Sequence, residues 1–189
     1  MPDTETDQKV SRLDQQIADL RRQVHAARRE APPQPVADYV LQSGDGPVHL
    51  ADLFGDKDDL FVIHNMGRSC PNCTLWADGY NGLVPHLQSR AAFVVSSPDD
   101  PATQAAFAAS RGWRFRMVSH AGTSFAADMG YRSERGYRPG VSVFQRRPDG
   151  IVRVNHTDFG PHDEYCAAWP LLDLLPGGAG DWRPKFSYV

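Results

Sequence analysis

The sequence contains only three cysteines in 189 residues. Small secreted domains that depend on disulfides are far richer in cysteine, so a disulfide-stapled scaffold is excluded. Two of the three form a close pair, Cys70-Pro71-Asn72-Cys73. In an intracellular protein, such a pair indicates redox chemistry or metal binding more often than a structural bridge.

Basic charge and long apolar runs are also scarce. Lys and Arg number 20 against 23 Asp and Glu, a net charge of −3, so no basic surface for nucleic acid or anionic lipid is expected. No apolar run approaches the ~18 residues that a membrane span needs. The first ten residues, MPDTETDQKV, are polar and lack the apolar core of a signal peptide. We therefore expect a cytoplasmic protein that binds neither nucleic acid nor a membrane.

An apolar seam predicts a helix near the start of the chain. Its members recur at alternating spacings of three and four: Val10, Leu13, Ile17, Leu20, Val24 and Ala27. Pro32, Pro33 and Pro35 then end the helix and form a stiff connector. We assign residues 1–35 to this helix and its linker, and residues 36–189 to one globular domain. Because so short a helix is marginal alone, it must pack on its own domain or on a second subunit, the latter giving a homodimer.

The remaining sequence alternates between short strands and helices. Leu60–His64 is a continuous apolar run, typical of a strand buried on both faces. The other predicted strands are Tyr39–Leu41, Val48–Leu50, Ala92–Ser96, Phe115–Ser119, Val141–Arg146 and Ile151–His156. The predicted helices run from Cys70 to Arg90, Pro101–Arg111, Ser124–Met129 and His162–Leu175. This order predicts an α/β fold in which an N-terminal hairpin precedes a mixed central sheet flanked by helices.

The position of the cysteine pair predicts a reactive thiol. Cys70 directly follows a strand at the N-cap of the next helix, and Pro71 takes the favoured first helical position. The free amides and the positive end of the helix dipole lower a thiol pKa by roughly one unit. Arg68 adds positive charge nearby. Cys73 lies one turn further on, so Cys70 is predicted to be the nucleophile and Cys73 the resolving thiol.

Two other interpretations of the pair stay open. The cysteines could be unreactive side chains on a helix, or they could be half of a zinc site, which needs two further ligands. Candidates for those ligands are His64, Cys166 and His162, but the chain has no second close pair. We expect neither a metal nor a cofactor.

Several further residues are candidates for shaping the site. Pro139 stands just before a predicted strand, where a proline can adopt the cis form or be an ordinary loop residue. His64, at a strand end, could reach the thiols or be a core histidine. Trp76 could flank the thiols or serve in packing. Cys166 is interpreted as a small buried apolar residue.

These segments resemble a known family. The chain is similar to the bacterial thioredoxin-like family of predicted dithiol-disulfide oxidoreductases, in the peroxiredoxin-like branch of the thioredoxin superfamily. The matching segments lie in the same order between Tyr39 and Gly178: LADLF (Leu50–Phe54), HNM (His64–Met66), CPNCTLWADGYNG (Cys70–Gly82), SRGWRFRMVS (Ser110–Ser119), PGVSVF (Pro139–Phe144) and LLDLLPGG (Leu171–Gly178).

The resemblance implies a thioredoxin fold, with Cys70 and Cys73 as the redox pair. It also implies that Pro139 is the cis proline that faces them. The chain departs from its relatives in two ways. The loop between Met66 and Cys70 is shorter than in many of them, and Arg68-Ser69 replaces the tryptophan that precedes the cysteines of thioredoxin itself.

Three functions compete on this basis. The first is a thiol–disulfide oxidoreductase acting on a disulfide-containing protein or a small-molecule thiol substrate. The second is a thiol peroxidase, although Gly67-Arg68-Ser69 lacks the threonine that peroxiredoxins place three residues before the attacking cysteine. The third is a non-catalytic binding or assembly module that uses the helical seam for dimer contacts.

Overall fold

A computed structural model describes residues 4–188, so residues 1–3 and 189 of the two assigned regions lie outside it. The chain divides into two units, one ending at Pro33 and the other beginning at Gln34. The first unit is built on the predicted helix, α1, which spans Glu5–Glu30. A capping box starts it: the Thr4 hydroxyl accepts from the Asp7 amide, and the Asp7 carboxylate accepts from the Thr4 amide.

The second unit alternates strands and helices as predicted. Its strands are β1 (Gln34–Val36), β2 (Val40–Ser43), β3 (Gly46–His49), β4 (Asp59–His64), β5 (Ala92–Ser97), β6 (Arg116–Ser119), β7 (Arg132–Ser133), β8 (Gly136–Tyr137), β9 (Gly140–Arg147) and β10 (Gly150–Asp158). Its helices are a 3-10 helix (Leu50–Phe54), α2 (Pro71–Arg90), α3 (Pro101–Arg111), α4 (Phe125–Asp128) and α5 (Ala168–Leu172).

Eight of these strands form one mixed sheet in the order β1-β10-β9-β4-β5-β6-β2-β3. β4, β5 and β6 are parallel neighbours joined by the crossover helices α2 and α3. β9 runs antiparallel to β4 and turns back into β10, while β2 and β3 form the predicted N-terminal hairpin. The predicted mixed sheet with flanking helices is therefore confirmed.

The sheet separates two apolar cores. Side chains alternate along β4, so Ile63 joins one core while Leu60 and Val62, both fully buried, join the other. The first core contains both cysteines of the pair and the inward face of α2. The second contains residues of the 3-10 helix, of α4 and of the β2–β3 hairpin. The cysteines thus belong to one face of the sheet.

The structure differs from the sequence prediction in three elements. β1 pairs with β10 and takes in Gln34 and Pro35, which the sequence places in the linker; an edge strand tolerates a proline because its missing amide faces outward. β7 and β8 form an unpredicted two-stranded hairpin. The predicted last helix, His162–Leu175, is wrong in extent, since α5 covers only Ala168–Leu172.

The shortened last helix has a local cause. The carboxylate of Asp163 accepts hydrogen bonds from the backbone amides of Gly160 and Tyr165, and His162 has a positive φ of 67°. An aspartate that binds nearby amides offers the backbone an alternative to the helix, and the left-handed residue breaks it. None of the helices in residues 4–188 is long and apolar enough to cross a membrane.

Candidate active site

The cysteine pair sits where β4 passes into α2. β4 ends at His64, a short loop follows, and α2 starts at Pro71 with Cys70 as its N-cap residue. Cys70 is extended, with φ −99° and ψ 104°, and its carbonyl accepts the amide and the hydroxyl of Thr74. The predicted N-cap cysteine followed by proline in the first turn is therefore observed. All three cysteines of the chain are thiols.

The environment of Cys70 favours its thiolate. Its Sγ accepts a hydrogen bond from the backbone amide of Cys73 across 3.1 Å. The hydrogen bond from the Cys73 thiol is the largest influence lowering the pKa of Cys70. Burial opposes it, and the backbone amides of Cys73 and Asn72 lower the pKa further, to about 7. Cys70 is therefore partly ionised at neutral pH.

Cys73 has the opposite character. It lies 3% exposed, against 8% for Cys70, and its Sγ accepts the Met66 amide at 3.5 Å. Its hydrogen bond to Cys70, then burial, then the nearby Cys70 charge all raise the pKa of the Cys73 thiol. The pair therefore consists of an outer thiolate and an inner thiol that donates to it.

Two side chains that the sequence analysis did not single out hold the loop before Cys70. Asn65 Oδ1 accepts the Gly67 amide at 2.8 Å, and Asp99 Oδ2 accepts the Arg68 amide at 2.7 Å. Gly67 has φ +101°, and a Cβ added there would lie 3.0 Å from Asp99 Oδ2. Asp99 follows β5, whose carboxyl end lies beside that of β4. The carboxyl ends of neighbouring parallel strands meet at one edge of the sheet, so the position of Asp99 just after β5 could have marked it as a neighbour of the cysteine loop.

Trp76 lies in the same core as the cysteines and is held by residues that come before α5 in the chain. It is 3% exposed, packs on Phe159 at 5.5 Å, and donates from Nε1 to Asp163 Oδ1 at 3.2 Å. Asp163 is the residue that also fixes the turn before α5. Cys166, at the end of this turn, is buried in the same core, and burial raises the pKa of its thiol.

His64 faces away from the thiols. The alternation along β4 sends its ring to the second core, where it stacks on Tyr131 at 3.8 Å and its Nε2 lies 2.9 Å from Ser142 Oγ. Burial is the main cause that holds the pKa of His64 well below its usual range. The structure thus places His64 as a neutral core histidine and brings it into no contact with Cys70.

Pro139 lies at the same edge of the sheet as the cysteine loop. β9 pairs with β4 so that Gly140 lies opposite His64, which sets the preceding Pro139 beside the start of the loop at Asn65. Residues 4–188 contain no cis peptide bond, so the bond before Pro139 is trans and the implied cis form is corrected. Arg68, the charge predicted to aid Cys70, is exposed, and its backbone amide is held by Asp99.

Metal binding was one of the two other interpretations of the cysteine pair. In the described part of the chain, no group of three or more His, Cys, Asp and Glu side chains is arranged to hold a metal ion. His64, one of the zinc candidates, points into the other core.

A strand, a CxxC pair and a helix at the edge of a mixed sheet are the arrangement expected of a thioredoxin-like protein. The chain belongs to the family described as bacterial protein of unknown function (DUF899), whose model matches residues 7–188. No curated protein matches the sequence.

Solved structures of peroxiredoxins share the fold. Peroxidoxin BcpB from Mycobacterium tuberculosis is 26% identical, with a TM-score of 0.55 over 67% of this chain and 84% of its own. A variant of PrxQ from Xylella fastidiosa is 16% identical, with a TM-score of 0.58 over 68% and 85%. The bacterioferritin comigratory protein of Xanthomonas campestris is 20% identical, with a TM-score of 0.54 over 64% and 80%. The thioredoxin fold is thus established, and the predicted thioredoxin-like family in its peroxiredoxin-like branch is confirmed.

Proposed function

We propose that the protein is a thiol–disulfide oxidoreductase whose reacting groups are the thiols of Cys70 and Cys73. The observation that carries the proposal is the asymmetry of the pair. The pKa of Cys70 is lowered to about 7, while that of Cys73 is raised by its hydrogen bond to Cys70. The thiolate is the attacking species in thiol–disulfide exchange, so the more exposed Cys70 acts first.

The first step consumes the substrate disulfide. The Cys70 thiolate attacks one sulfur of the substrate, a Cys70–substrate disulfide forms, and the other substrate sulfur leaves as a thiolate that takes up a proton. The negative charge on Cys70 is lost in this step. Three influences raise the pKa of Cys73: its hydrogen bond to Cys70, its burial and the charge of Cys70. The first and the third end when the mixed disulfide forms, and burial remains.

The second step releases the product. Cys73, relieved of that hydrogen bond and that charge, loses its proton and attacks Cys70 Sγ. The Cys70–Cys73 disulfide forms and the second substrate sulfur leaves as a thiol. The substrate has gained two electrons and the protein has lost two. An external thiol donor, of protein or small-molecule type, returns the pair to the dithiol by the reverse exchange.

Trapping of the mixed disulfide tests this order. Oxidised glutathione is added to the reduced protein and to its Cys73→Ser and Cys70→Ser variants, and the products are mapped by mass spectrometry. The proposal expects a lasting glutathione adduct on Cys70 in Cys73→Ser and a Cys70–Cys73 disulfide in the unchanged chain. It expects no adduct on Cys73 in Cys70→Ser. Equal adduct formation in the two variants would contradict the assigned roles.

A second candidate is a thiol peroxidase, favoured by the likeness to peroxiredoxins. The relative from X. campestris is described as having alkyl peroxide reduction activity. In that reaction the Cys70 thiolate would take one peroxide oxygen and become a sulfenic acid, leaving an alcohol. Cys73 would then form the disulfide and release water. Alkyl peroxide consumption in the presence of a thiol reductant, lost in Cys70→Ser, would favour this activity over disulfide exchange.

The loop before Cys70 argues against the peroxidase. It reads Gly67-Arg68-Ser69, without the threonine expected three residues ahead of a peroxiredoxin's attacking cysteine. The Gly67 and Arg68 amides are already engaged by Asn65 and Asp99, and so serve to hold the loop. We therefore place disulfide exchange first.

A further inference from the structure

The seam of α1 is an apolar stripe on a helix none of whose residues is buried. The helix spans Glu5–Glu30, and the larger seam side chains are 45–59% exposed: Val10, Leu13, Ile17, Leu20 and Val24. From Val10 to Ala27 the seam is about 26 Å long at 1.5 Å per residue. Single exposed apolar side chains are ordinary, but a continuous stripe of this length marks an interaction surface.

The spacing of the stripe matches a coiled coil. Written as a heptad, Val10, Ile17 and Val24 fall at the a positions, while Leu13, Leu20 and Ala27 fall at the d positions. β-branched residues at a combined with leucine at d favour two parallel strands over trimers and tetramers. The order of residue types along the seam therefore selects both the number of helices and their direction.

The flanking charges agree with a parallel pairing of identical helices. In a parallel dimer each g residue faces the e residue five positions further along the partner helix. Here that gives Lys9 against Asp14 of the second copy, and Gln16 against Arg21. The last such pair is Gln23 against Arg28. One pair is oppositely charged and none brings like charges together, so a second copy of this helix is complementary to the first.

The ends of the helix limit its extent. The capping box at Thr4 starts the helix one turn before the first seam residue, and Pro32 and Pro33 end it one turn after Ala27. The helix therefore begins and ends close to the two ends of the seam, so nearly its whole length is available for pairing. A cap supplies the first free amides with an acceptor, which a short helix requires to persist before it pairs.

We propose that two copies of the chain associate through a parallel coiled coil formed by residues 10–27 of α1. The a and d side chains of each copy are buried against those of the other, and Lys9 and Asp14 pair across both edges. The partner is a second copy of this same chain. The association is independent of the thiol chemistry proposed above.

Sedimentation equilibrium on the full chain tests this proposal. The expected mass is twice the 21.0 kDa of one chain. Ile17→Lys, at a central a position, is expected to weaken association at least ~100-fold because it places a charge in the seam. Gln15→Lys adds the same charge at an outward f position and is the matched control, with unchanged mass. All four tryptophans lie beyond residue 34, so an unchanged near-ultraviolet circular dichroism spectrum shows that Ile17→Lys has left the second unit folded.

Two results would overturn the proposal. One is a monomer, or an assembly larger than a dimer, at every concentration of the unchanged chain. The other is a dimer of the same strength in Ile17→Lys. Direction is tested with Leu13→Cys in a Cys70→Ser background. A parallel dimer places the two introduced thiols together and gives an interchain disulfide on oxidation. An antiparallel dimer separates them by more than a helical turn and gives none, which would overturn the parallel assignment.

Discussion

The backbone amide of Cys73 donates to the Sγ of Cys70 across 3.1 Å, and the Cys73 thiol donates to the same sulfur. One residue therefore supplies two donors to the attacking thiolate. This places the control of Cys70 within the first turn of α2. It also explains why the two pKa values move in opposite directions, since the proton that stabilises one sulfur is held on the other.

This arrangement predicts different effects for two substitutions of Cys73. Cys73→Ala removes the side-chain donor and is expected to raise the pKa of Cys70 above 7, toward the usual thiol value of ~8.5. Cys73→Ser keeps a hydroxyl donor and should leave the pKa lower than Cys73→Ala does. The pKa is measured from the pH dependence of the thiolate absorbance. Equal values in the two variants would show that the side chain is not the donor.

Replacing Gly67 is expected to disturb the loop before Cys70. Gly67 has φ +101°, and a Cβ would lie 3.0 Å from the Asp99 carboxylate that holds the Arg68 amide. Gly67→Ala should lower the free energy of unfolding by about 1–2 kcal/mol, because the left-handed backbone is strained for alanine. Gly79→Ala is the matched control, since Gly79 lies in α2 with nothing within 4 Å of its added Cβ. That change should stabilise by about 0.5–1 kcal/mol. Equal effects in denaturant titrations would contradict the account.

Asp163 is expected to stabilise the turn before α5 and to hold it against Trp76. Its carboxylate accepts from Trp76 Nε1 and from the amides of Gly160 and Tyr165. Asp163→Ala should cost about 1–3 kcal/mol of stability, because it leaves three partly buried donors unpaired. Hydrogen exchange of the Gly160 and Tyr165 amides should quicken in the variant. Asp56→Ala, at a carboxylate 86% exposed, is the control and should change stability by less than about 0.5 kcal/mol. Unchanged exchange at both amides would rule out this role.

The buried histidines predict how stability depends on acid. Burial lowers the pKa of His64 well below 6.5 and that of His120 to about 4. Between pH 6.5 and 4 the unfolded chain therefore binds protons that the folded chain does not, so stability falls as the pH falls through this window. His64→Gln should flatten that fall when unfolding is measured across the window. His86→Gln, at an exposed position, should leave it unchanged. An identical slope in His64→Gln would contradict a neutral, buried His64.

The sequence predicts those parts of the structure whose signals are local. The apolar run before Cys70 marks a buried strand, and the cysteine followed by proline marks the N-cap, so both were predictable. The turn Ser43–Gly46 likewise predicts the first hairpin. Each of these signals lies within a few residues of the element it defines.

Features that depend on distant residues were not predictable in this way. Asp99 reaches the cysteine loop from the end of another strand. Asp163 ends the expected last helix through nearby amides, but its partner Trp76 comes from α2, far away in the sequence. The side of the sheet that His64 faces follows from the register of β4, and a single residue of shift would have turned it toward the thiols. The family resemblance implied a cis bond before Pro139, but this bond is trans in the structure.

A redox titration of the cysteine pair tests the central claim most directly. The reduced protein is equilibrated in glutathione buffers of increasing oxidised fraction, quenched, and mapped by mass spectrometry for each cysteine. The account predicts one reversible two-electron transition that joins Cys70 to Cys73 while Cys166 remains a thiol. No disulfide at any buffer composition, or a disulfide that involves Cys166, would contradict it.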